Sequence, residues 1–91
     1  MQWTQDEAIA FECAREAITD MMAIQSGQIA AESRKAMPDN ERVTALRAKR
    51  SRLARERAAL HVINQADIAR IRIEYGAIIR AWRAQRHASA G

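Results

Sequence analysis

Residues 39–75 read DNERVTALRAKRSRLARERAALHVINQADIARIRIEY, with neither Gly nor Pro. Large side chains recur there at alternating three- and four-residue steps, through Val43, Leu46, Arg50, Leu53, Arg57, Leu60, Asn64, Ile68, Ile71 and Tyr75, and onward to Ile78 and Trp82. Such steps place one stripe on one side of a helix, and a helix with a single apolar stripe buries it against a partner. The stretch therefore decides the fold class, which is all-α with coiled-coil-like packing.

The helix pattern also extends toward the amino terminus. Thr4 and Glu7 have the spacing of a capping box, so the first helix is expected to begin there. Trp3, Ala10, Phe11, Ala14, Ala17, Ile18, Met21 and Ile24 fall on one side at about 100° per residue, and Glu12, Glu16 and Asp20 form an acidic row on the other. Ser26-Gly27 weakens the helix by up to about 1 kcal/mol, enough to kink it, and helix is expected to persist to about residue 36. Met37-Pro38-Asp39 is the clear break, because Pro disfavours helical geometry in the residue before it and Asp39 suits the cap of the next helix.

Residues 40–86 admit two readings. As one helix they would span about 70 Å, longer than the first helix covers, giving a long antiparallel hairpin that dimerises. The second reading breaks the helix near residues 61–65, where Asn64 and Asp67 resemble a second cap, and gives a three-helix bundle. In either case the 91 residues are read as a single domain. After Trp82 the apolar period is lost and the terminal residues are expected to fray.

Size limits the core. A chain of this length buries only about 60 to 65% of its unfolded surface, and much of the 48% hydrophobic composition is Ala, which contributes little area per residue. Self-association into a homodimer follows as an expectation. The candidate core is Phe11, Ile18, Met21, Leu46, Leu53, Leu60, Ile68, Ile71, Tyr75, Ile78 and Trp82. Cys13 is the lone cysteine and lies among Ala10, Ala14 and Ala17, so it reads as a small packing residue in a reducing compartment. The first residues lack a basic region followed by an apolar run, and no window approaches a membrane span of about 18 apolar residues. The expected location is cytoplasmic, with no membrane contact.

Net charge is +4, but its distribution is polar. Residues 1–40 carry seven acids against three bases, and residues 41–91 carry twelve bases against four acids. Arg47, Lys49, Arg50, Arg52, Arg55 and Arg57 are the candidate contacts for an anionic partner or for phosphate. Their angular positions are scattered around the helix, as on a solvated surface whose charge is partly neutralised by the acidic first helix. Arg50, Arg57 and Asn64 interrupt the stripe, and polar residues in a seam often fix register or oligomeric state. The ordinary alternatives are snorkelling arginine stems and, for Asn64, a helix cap. A narrow second strip of Ala66, Ala69, Ile73 and Ala77 lies on the other side of the last helix and calls for another packing element or a partner.

No catalytic set stands out. His61 and His87 lack companions at metal-ligand spacing, the acidic row lacks the Glu-x-x-His companion of helical di-metal sites, and Gly27, Gly76 and Gly91 are too dispersed for a phosphate loop. No cofactor, metal or small-molecule substrate is expected. The reading is a non-enzymatic helical protein that binds and regulates or inhibits a larger protein assembly, as phage and plasmid accessory factors do. The alternative is a basic regulator that contacts nucleic-acid phosphates through residues 47–57.

Overall fold

The structure, a computed structural model, describes residues 3–90. It contains three α-helices: α1 (Gln5–Ser33), α2 (Asn40–Ala59) and α3 (Gln65–Ala90). The described residues contain no strand. Two compact units divide the chain, with the boundary inside α1: residues 18–59 form one, and residues 1–17 with 60–91 form the other.

Each helix start is fixed by its own side chains. At α1 the Thr4 amide donates to Glu7 Oε1 at 2.8 Å and the Glu7 amide donates to Thr4 Oγ1 at 3.1 Å, completing the capping box. At α2 the Asp39 carboxylate accepts the Arg42 amide at 3.1 Å. At α3 the Asn64 side chain accepts the Asp67 amide at 3.2 Å and donates to the Asp67 carboxylate at 2.8 Å. Asn64 is thus an exposed helix cap rather than a buried seam residue.

The second half of the chain is accordingly two helices and not one. Val62 and Ile63 precede the cap, and β-branched side chains lose rotamer freedom in a helix. Val62 is buried, the Asn64 amide donates to the His61 carbonyl at 3.0 Å, and the Gln65 side-chain amide donates to the Val62 carbonyl. Packing and capping together outweigh the continuity of the stripe. Helix α1, in contrast, runs unbroken through Ser26-Gly27, since neither residue removes a backbone donor. It stops at Ser33, short of the expected residue 36, where the Lys35 amide turns back to the Glu32 carbonyl at 3.2 Å. Helix α3 extends to Ala90, beyond the end expected from the loss of period.

Within residues 18–59, the later part of α1 and α2 run antiparallel. Their core contains Ile18, Met21, Ile29, Val43 and Leu53, with Leu46 half-buried. Within the other unit Ala14, Val62, Ile68, Ile71 and Ile79 are buried, while Phe11, Leu60, Tyr75 and Trp82 are half-buried. Two expectations are corrected. Ile78 is 47% exposed and Ile79 takes its place at 6%; an eleven-residue step from Ile68 closes about three helical turns to within roughly 20°, which keeps Ile79 in phase with that buried residue. Trp3 is exposed instead of lying with the core, because it precedes the first turn and is not held to the helix's angular pattern.

Candidate functional site

Helix α2 turns its apolar stripe toward α1 and exposes much of its other side. Arg47, Lys49, Arg52 and Arg55 are all exposed, and none makes an ion pair among the described residues. Arg52 and Arg55, one turn apart, point away from Leu46 and Leu53, while Arg47 and Lys49 lie toward the two edges. Thr44, Ala45, Ala48 and Ser51 fill the space between them, so small side chains separate the cations.

Arg50 and Arg57 behave differently. Both are half-buried: Arg50 Nη1 donates to Ser26 Oγ at 3.0 Å, and Arg57 Nη1 donates to Thr19 Oγ1 at 2.9 Å. Their stems pack along the seam and their heads reach hydroxyls on α1, so they belong to the pairing of the two helices and are separated in role from the four outer cations.

The cation–carboxylate contact between α1 and α2 centres on Glu32. Its side chain is 4% exposed; Oε1 accepts from Lys35 Nζ at 3.0 Å and lies 3.3 Å from Arg42 Nε. Oε2 accepts the Asp39 amide at 3.1 Å. The hydrogen bond from the Asp39 amide, then the one from Lys35, hold the Glu32 carboxyl below its ordinary range; burial opposes them, and the charges of Lys35 and Arg42 add to the lowering. The Asp39 and Arg42 contacts tie the end of α1 to the start of α2, while Lys35 closes on Glu32 within the turn. Glu32 is therefore a structural clamp at the turn. Sequence reasoning placed it only in the charge balance, although continuing the face of Ile18 and Met21 by three- and four-residue steps reaches Gln25, Ile29 and Glu32. Gln25 is buried too, and its Oε1 has no partner among the described residues.

On α1, Glu12 and Glu16 are exposed and Asp20 is half-buried. Glu12 makes only a loose pair with Arg15 at 3.9 Å, and the Arg15 guanidinium lies 5.8 Å from the Phe11 ring centre. On α3, Arg70 lies 3.4 Å from Glu74 and 3.8 Å from Asp67, both within one turn. The strip of Ala66, Ala69, Ile73 and Ala77 is exposed on α3, with Ile73 at 71%.

The exposed cations of α2 can attract anions. Cys13 is half-buried without a disulfide, and His61 and His87 are exposed. Among the described residues no three of His, Cys, Asp and Glu gather as metal ligands, and no helix is long and apolar enough to cross a membrane. No family model matches this chain, no curated protein matches it, and no solved structure matches it.

Proposed function

We propose that this protein is a non-enzymatic helical binding module that regulates or inhibits a larger protein assembly by seating α2 on an acidic surface, as an accessory factor of the phage or plasmid kind. The observation that carries the reading is the exposed set Arg47, Lys49, Arg52 and Arg55, which has no carboxylate partner among the described residues. Exposed cations around small residues let another protein approach the helix closely while its carboxylates replace water at the guanidinium groups. Coiled-coil-like self-association belongs to the same proposal, because a chain this short gains buried area by pairing.

Nucleic-acid binding is the second reading, favoured by the same four cations. These cations can meet phosphates, and an arginine or lysine can also pair with a guanine edge, while the outward residues between Thr44 and Arg55 contain no Asn or Gln to read adenine. Titration with duplex DNA and with RNA across a salt series tests the choice. The protein-binding reading predicts no association at low salt. Micromolar binding whose log K falls linearly with log salt would favour the phosphate reading.

A further inference from the structure

Two exposed isoleucines carry a charge one heptad later on the same side of their helices, and the charges have opposite sign. On α1 these are Ile9, 53% exposed, and Glu16; on α3 they are Ile73, 71% exposed, and Arg80. From these matched pairs we infer that the outer face of α3 is a docking surface for the outer face of α1 from a second copy of this chain, the two helices running parallel with Ile9 against Ile73 and Glu16 against Arg80.

Parallel alignment is what brings the isoleucine pair and the Glu16–Arg80 pair together at once. In each helix the charge lies seven residues beyond the isoleucine, about 10.5 Å along the axis, so both pairs meet only when the helices run in the same direction. An antiparallel crossing centred on the isoleucines would set Glu16 beside Ala66 and leave both charges unmatched. Between the two contacts the α3 face offers Gly76, and Glu12 comes opposite it in this register. A glycine there brings the helices closer than a larger residue would, as small residues do at helix crossings.

Arg80 is exposed and makes no ion pair among the described residues. Its Nη1 lies back over Gly76, 3.2 Å from where a Cβ would stand. Meeting Glu16 of a second copy would draw the guanidinium off the glycine and uncover the approach. Ile73, Arg72 and Ala69 line the same shallow groove as Arg80. Because the contact joins two different faces, it is heterologous, and copies add head to tail.

The inference rests on the self-association in the reading above and is independent of the anionic partner of α2. Its test is sedimentation equilibrium at low salt on the full chain and on E16R, R80E and the double variant E16R/R80E, with circular dichroism confirming that each is helical. The expected result is association of the wild type, weakening by about tenfold in each single variant, and recovery in the double variant, where every copy again offers opposite charges. A wild type that is monomeric near 1 mM would overturn the inference together with self-association. Association unmoved by the single variants, or weakened without recovery in the double variant, would overturn this surface while leaving self-association standing.

Discussion

Arg57 and Thr19 are joined across the α1–α2 pair by a hydrogen bond of 2.9 Å, and the same contact recurs one heptad away between Arg50 and Ser26 at 3.0 Å. Moving seven residues forward on α2 moves seven residues back on α1, so the two bonds mark a single antiparallel register. A slip of either helix by one turn would leave both guanidinium groups without these hydroxyls.

Replacing the acceptors tests that role. Thr19→Val and Ser26→Ala are each expected to lower stability by about 0.5 to 1.5 kcal/mol, measured by urea unfolding, since each removes the hydroxyl that accepts a guanidinium hydrogen bond. Unchanged midpoints in both variants would show that the guanidinium groups are satisfied by water.

Glu32 is expected to make the turn between α1 and α2 acid-sensitive. Its folded pKa lies below its ordinary value of 4.5, so its contribution is fully present above that value and is lost as pH falls through the depressed folded pKa. Glu32→Gln should therefore flatten the acid limb of a melting-temperature profile below about pH 4.5 and lower the melting temperature at neutral pH. An unchanged acid limb would remove Glu32 from the turn's stabilisation.

The exchange of Ile78 for Ile79 is open to a paired measurement. Ile79→Ala should cost about 2 to 4 kcal/mol by leaving a cavity, whereas Ile78→Ala, at a half-open site, should cost under about 1 kcal/mol. Equal losses would contradict the rotational setting of α3.

Gln25 is 3% exposed and its carbonyl oxygen has no partner among the described residues. Gln25→Leu keeps a similar volume and removes a buried polar group, so it is expected to raise stability by about 1 kcal/mol or more, read from thermal or urea unfolding. A loss of stability would mean that the amide is satisfied by an ordered water.

The helices and most buried positions were legible because each signal is local. Thr4 with Glu7, Asp39 and Asn64 announce helix starts through side chains that reach their own first turns, and the 3–4 spacing locates Ile18, Leu53, Ile68 and Ile71 without knowledge of any partner. What stayed hidden depends on the second helix. Ile78 and Ile79 flank the stripe almost evenly, so only the approach of α1 selects between them. Glu32 looked like one more surface acid until the turn brought the Asp39 amide and Arg42 to it. For the candidate surface, the sequence supplied the cations but not their sorting. Arg50 and Arg57 are engaged by α1 hydroxyls, and the other four stand outward.

The most direct measurement of the proposed activity is a matched affinity capture from the native host, followed by mass spectrometry, with wild-type protein and a folded R52E/R55E variant as baits. The proposal predicts an acidic protein, or an assembly containing one, retained by the wild type after nuclease treatment and lost from the variant. Recovery of the same proteins on both baits, or loss of every partner once nucleic acid is digested, would contradict it.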